Sequence, residues 1–415
     1  MSEDIINEAL LSREPILDIQ QELVGYAISL QLPVSTTPSS YSPSHAAALV
    51  CATYAELGIR SALGNTKAFI GVDLDFLHDD AIEALPPESV ILELSLDSTP
   101  DEETLERCRN LRERRYSFAL SNYTGLDNRS RPLLTLLDVV KIEINRYDDT
   151  ALAELAGPLA RLPLKLLAQG VETKERMEHC RKIGFQLFQG HYFAQPEIVS
   201  GRRLTASQGR LVQLINLAGR DADTIKIEDN IKRETALAVN LLRIVNSVGF
   251  GLSRRITSLR QAITLLGRRQ LQRWLQLLLM TPDGKVPDAS RSPLLQVAAL
   301  RGRMMELLVD RVAPGNRKLT DQAFMTGIMS MMPAALGLPM HEIFEQIALE
   351  DEIMQALVSH SGTLGVTLTL LECFDAQDIE GCDAWLKQTP EANLSLGILN
   401  NCLTESLRWI NDSGN

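Results

Sequence analysis

The chain has 415 residues and a net charge of -12, and its 45% hydrophobic content is ordinary for a globular protein of more than one domain. The longest apolar runs, such as Leu277 to Met280, are far too short to span a bilayer, and "MSEDIINEAL" lacks a basic stretch leading into an apolar core, so neither a membrane span nor a secretory signal is expected. A cytoplasmic location is expected, with the six cysteines at 51, 108, 180, 373, 382 and 402 reduced and packed, since they form no CxxC pair or close cluster.

Charge is unevenly spread: residues 1–200 hold 18 Lys+Arg against 30 Asp+Glu, and the remaining 215 hold 23 of each. In the acidic half, short apolar strands alternate with amphipathic helices. "PILDI", "AFIGVDL", "SVILELS", "RYSFALS", "VVKIEI", "LKLLAQG" and "GFQLFQG" read as strands, in that order. "DEETLERCRNLRER" and "TKERMEHCRKI" read as helices opening on acids or a Thr cap, and "LPVSTTPSSYSPS" as an exposed loop. Strands separated by helices imply βαβ units and a parallel sheet. Past residue 200 only helical periodicity remains, in "GRLVQLINLAGR", "IKRETALAVNLLRIVNSV", "ITSLRQAITLLGRRQLQRWLQLLLM", "SPLLQVAALRGRMMELLVDRV" and "DQAFMTGIMSMMPAAL". The expected division is therefore 1–198, a β/α barrel domain, and 199–415, a helical domain.

"REPILDIQQELVGYAISL", "LLAQGVET" and "GFQLFQGHYFAQP" together resemble the EAL domain family, whose members are TIM-like β/α barrels that hydrolyse cyclic diguanylate. "LLRIVNSVGFGLSRRITSLRQAITLLG" resembles the HDOD family, a helical relative of the HD phosphohydrolases. The resemblance implies an α/β barrel followed by an all-α HDOD domain, in a bacterial signal-transduction protein. It also implies a site in which carboxylates hold divalent ions that activate water. Several family positions carry other residues here. The signature acid falls on Ala27, the following asparagine on Gly71, the acidic pair on Ser121 and Asn122, and the base on Gln169, whose amide takes no proton near neutral pH. Glu93, Lys141, Glu172 and Gln189 survive at matching positions, where a pairing of Lys141 with Glu93 or Glu172 would explain them structurally. Asp73 and Asp75, placed on one strand face with Gly71, are a minor candidate for a rebuilt metal site. Glu14 stands where the family has a glutamine and sets a negative charge near a phosphate-bearing ligand.

In the helical half, Ser330 and Met331 occupy the positions of the His-Asp dyad, and His341 and His360 are expected at the surface or at helix caps. What stands out is a basic stretch without acids: Arg254, Arg255, Arg260, Arg268, Arg269 and Arg273. These are expected to be mostly exposed, either as solvated helix faces or as a docking face for an acidic partner. Aromatic residues are sparse around them and the pI is about 5.1, so nucleic acid is not an expected partner. The expected function is interaction rather than chemistry: a non-catalytic adaptor or regulator near cyclic diguanylate signalling, with no enzyme activity, metal or cofactor. Its expected partner is a signalling protein not identifiable from the chain, and a homodimer is expected by resemblance. Nucleotide binding and membrane contact are not expected. A cyclic diguanylate receptor that does not hydrolyse and a residual phosphodiesterase are the alternatives.

Overall fold

A computed structural model describes residues 9–33, 66–96, 99–198, 203–220, 223–246, 256–281 and 292–414. The chain divides into two compact units, Met1–Gln195 with Cys373–Leu407, and Pro196–Glu372 with Arg408–Asn415. Residues 373–407 thus belong with the barrel, whereas the expected limits of 199–415 put them in the helical domain.

In the first unit eight strands close into a barrel in chain order. They are β1 Leu10–Asp18, β2 Leu23–Gln31, β3 Lys67–Val72, β4 Val90–Leu94, β5 Ser117–Leu120, β6 Val139–Glu143, β7 Lys165–Gln169 and β8 Leu187–Gln189. Seven match the runs read from the sequence; β2 was not among them. The sheet is not wholly parallel as the βαβ pattern implied, because β1 runs antiparallel to both its neighbours. The reason is length. Only residues 19–22 join β1 to β2, and a parallel crossover needs a dozen or more. Asp18 shapes the hairpin turn: its carboxylate accepts from the backbone N–H of Gln20 at 2.9 Å and of Glu22 at 3.0 Å.

β8 pairs only with Ile16–Asp18, so among the described residues the start of β1 has no strand on that side. A side chain does part of that work. Asn400, in the helix Leu396–Gly414, accepts from the Leu11 N–H at 2.9 Å and donates to the Ala9 carbonyl at 2.8 Å. An edge that would otherwise expose bare backbone groups is thereby satisfied.

Three helices follow strands, two of them as expected and the third, Asp149–Leu159, not among those read from the sequence. Glu102–Glu113 is capped by Asp101, Asp149–Leu159 by Asp148 and Lys174–Lys182 by Thr173, each side chain accepting from an N–H of the first turn. Inside the barrel, alternate residues meet in a ring of Ile16, Phe69, Ile91, Ala119, Val139, Leu167 and Leu187, with Val24 and Ala27 packed against it. This ring is the floor on which the mouth is built.

The second unit is helical among its described residues. Two expected helices are divided. "IKRETALAVNLLRIVNSV" lies across Thr224–Lys232 and Thr235–Val245, and "DQAFMTGIMSMMPAAL" across Arg317–Met329 and Met332–Leu336, the latter with Pro333 in its first turn, where a helix tolerates proline. Leu259–Leu279 breaks at Gly267, whose φ of 76° and ψ of 160° no helical residue adopts. No single helix among the described residues is long and apolar enough to cross a membrane.

Cys108, Cys180 and Cys382 are fully buried, and burial pushes their thiols up to about 11, 11 and 12. Since the thiolate is the reactive form, these three are expected to resist iodoacetamide at pH 8 in the native protein and to react after denaturation. Peptide mass mapping before and after urea checks this, and native labelling of Cys108 would contradict it.

Candidate functional site

Strand alternation and register decide which side chains reach the mouth. Two residues beyond the floor on each parallel strand come Gly71, Glu93, Ser121, Lys141, Gln169 and Gln189. Because β1 is antiparallel, Glu14 lies two residues before Ile16, opposite Ala27 in the β1–β2 ladder. The paired registers Gly71 with Glu93, Glu143 with Gln169 and Gln169 with Gln189 tie these positions into one ring.

Lys141 and Glu93 form the centre of it. The lysine Nζ lies 2.7 Å and 2.9 Å from the two carboxylate oxygens, with side chains 5% and 11% exposed. A charge held that far from water is tolerated only with a close counter-charge, and here each supplies the other's. Gln189 is buried and donates through Nε2 to Glu14, while its Oε1 has no hydrogen-bond partner among the described residues.

The remaining expected positions differ in kind. Ala27 is apolar and packs on the floor. Gly71 is exposed, with open space where a side chain would extend. Ser121 donates its hydroxyl to the Leu94 carbonyl, and Asn122 is an exposed turn residue with a φ of 50°. Gln169 is half-buried, whereas Glu172 is exposed beyond the end of β7. Asp73 and Asp75 do not share a face of β3, because that strand ends at Val72 and Asp73 accepts from the Phe76 N–H at 2.8 Å to start a turn. The sequence reading missed Glu143, which shares the inner face with Lys141 and pairs with Arg146 at 2.7 Å. The alternation of "VVKIEI" already carried that signal.

Among the described residues no group of three or more His, Cys, Asp or Glu side chains is arranged to hold a metal ion. The resident divalent ions that the EAL resemblance implies therefore do not fit this donor set, in which the one buried carboxylate is already bound by an ammonium.

In the helical unit, Ser330 donates to the Gly327 carbonyl and accepts from Arg301. His341 is exposed, and His360 ends a helix at a φ of 51°, with its Nε2 2.9 Å from Glu372. The basic stretch is only partly the mostly exposed face expected of it: among its described arginines, Arg260 and Arg269 are exposed and the other two are not. Arg273 is 12% exposed, bonds Glu306 at 2.7 Å and stacks its guanidinium 4.0 Å from the Phe324 ring centre. Arg260 pairs with Glu228, Arg269 pairs with Asp321 and Arg268 is half-buried. The acids that partner these arginines lie elsewhere in the chain, out of reach of a local reading. Arg254 and Arg255 lie outside the described residues.

Comparison with known proteins agrees with this architecture. Residues 74–196 match the EAL domain and residues 206–334 the HDOD domain. This is an EAL–HDOD two-domain protein. The particular relatives extend over nearly the whole chain. It is 26% identical to the cyclic di-GMP phosphodiesterase CdgJ of Vibrio cholerae, over 99% of this chain and 94% of that protein. It is 23% identical to the uncharacterized protein YuxH of Bacillus subtilis, over 96% of this chain and 97% of that one. Among solved structures, an EAL domain protein from Listeria monocytogenes is similar at 20% identity and a TM-score of 0.38, over 46% of this chain and 90% of that one. The likeness to a named phosphodiesterase along almost its full length overturns the expectation, drawn from the missing acids, that the chain is not an enzyme.

Proposed function

We propose that this protein is a cyclic diguanylate phosphodiesterase with the mouth of its barrel as the site. The observation that carries the reading is the likeness to the Vibrio cholerae phosphodiesterase over 99% of the chain. The mouth supports it with groups suited to a phosphodiester. The Lys141 ammonium supplies positive charge, and the amides of Gln169 and Gln189 supply neutral donors for phosphate or ribose oxygens. Hydrolysis adds water across one P–O bond, so a proton must leave the water and another must reach the departing oxygen. Gln169 cannot take the first. That duty falls to a carboxylate of the ring, and Glu14, Glu93 and Glu143 are the acids that strand alternation directs inward.

Purified full-length protein incubated with cyclic diguanylate, with and without Mg²⁺ or Mn²⁺, is expected to release the linear dinucleotide above a no-protein blank. Glu93→Gln is expected to lower that rate by roughly 10²-fold or more, the usual contribution of a positioned acid–base group. Binding measured by titration without any turnover, under all these conditions, would overturn the phosphodiesterase reading.

A further inference from the structure

Three arginines of the helical unit line a cavity of about 380 Å³, within the range that holds small molecules. They are Arg220, Arg269 and Arg273, with Asp321 shared between the last two at 2.6 Å and 3.4 Å. Glu350 lines it too, with Glu352 beside it and Lys318 between them at 2.9 Å and 3.5 Å. Asn216 holds the segment before Glu350 in place. Its side chain donates to the Gln346 carbonyl at 2.9 Å and accepts from the Ala348 N–H at 3.0 Å. Met325, Leu349 and Ile353 add apolar surface to the lining.

We propose that this cavity binds a guanine nucleotide, with its phosphate on the arginines and its base on Glu350. The cations divide by availability. Arg273 is committed to Glu306, Asp321 and the Phe324 ring. Arg269 is 71% exposed and has one carboxylate partner, which leaves most of its five N–H donors for a phosphate. Arg220 is exposed and has no carboxylate partner among the described residues. Two forked donors with spare capacity in one cavity lining match an anion's oxygens.

Glu350 selects the base. Glu350 receives Lys318 and Gln322 on the same oxygen, Oε2. Its other oxygen carries no hydrogen bond among the described residues. A carboxylate accepts the adjacent N1–H and N2–H of guanine together, whereas adenine presents an acceptor at N1 and meets it with repulsion. The apolar side chains offer the base a face to lie on. The inference stands on the helical unit alone and is independent of the barrel's activity.

Isothermal titration of the full chain with guanosine monophosphate, which has no phosphodiester to cut, tests it. Binding is expected, with adenosine monophosphate and inorganic phosphate each weaker by about tenfold or more. Arg220→Ala with Arg269→Ala, both exposed positions, is expected to weaken guanosine monophosphate by about tenfold or more. Glu350→Gln is expected to narrow the preference over adenine, and the barrel variant Glu93→Gln to leave binding unchanged. No binding of guanosine monophosphate, equal binding of the adenine nucleotide or of phosphate, or a double arginine variant that binds as the parent does, each overturns the proposal. Loss of binding in a Glu93→Gln variant that keeps the parent's circular dichroism overturns it too, by moving the ligand to the barrel.

Discussion

Replacing Glu93 by alanine is expected to destabilise the barrel by about 3–5 kcal/mol, the usual effect of removing one member of a buried ion pair. The cost comes less from the lost attraction than from what stays behind. Lys141 is 4% exposed, so its ammonium would remain out of water without a counter-charge. Lys141→Ala is expected to cost about as much for the mirror-image reason. The double change Glu93→Leu with Lys141→Met removes both charges at similar volume and is expected to be close to neutral for stability. Urea denaturation of the four proteins measures these differences. If Glu93→Ala and the double variant unfold at the same midpoint, the pair is not a coupled buried unit. The proposed activity would be lost in the double variant even where the fold is kept, which separates the role of the pair in chemistry from its role in the barrel.

Gly190→Ala is expected to be more damaging than its single methyl group suggests, at about 3 kcal/mol or more. Gly190 follows β8 at a φ of 148°, and a Cβ built there would meet the Val171 carbonyl oxygen at 2.0 Å. The neighbouring backbone cannot simply withdraw. The N–H groups of Gly170 and Val171 both bond the Gln189 carbonyl, at 3.1 Å and 3.0 Å, and these bonds join the ends of β7 and β8. Relieving the overlap would open that junction and shift Gln169 and Gln189 together. A lower denaturation midpoint is the expected result; a midpoint equal to the parent's would show that the turn relaxes freely.

The fold was legible wherever local pattern carries it. "VVKIEI" and "LKLLAQG" alternate or run apolar over a few residues, as strands buried in a barrel do. Asp101 and Thr173 announce their helices because a cap acts within one turn. β2 escaped because "LVGYAISLQ" shows no clean alternation: Gly25 and Tyr26 are adjacent and both buried. The Gly267 break escaped because the apolar spacing continues across it, while the backbone turns.

The site divides along the same line. The residue types at the mouth, an alanine, a glycine, a serine and a glutamine where the family resemblance implies other groups, stand in the sequence by themselves. So did the order of an EAL-like half and an HDOD-like half. Residue identities alone did not decide the question of activity, which the full-length likeness to a phosphodiesterase reopened. Only the tertiary structure decided how the charges are used. Lys141 takes Glu93 across 48 residues of chain, Arg273 takes Glu306 across 33 and Arg260 takes Glu228 across 32. A charged side chain shows its sign in the sequence. Its partner, and therefore whether it is a buried structural group or a free donor at a cavity wall, depends on which distant strand or helix the packing brings beside it. Electrostatic energy falls with distance in space, with no regard to distance along the chain.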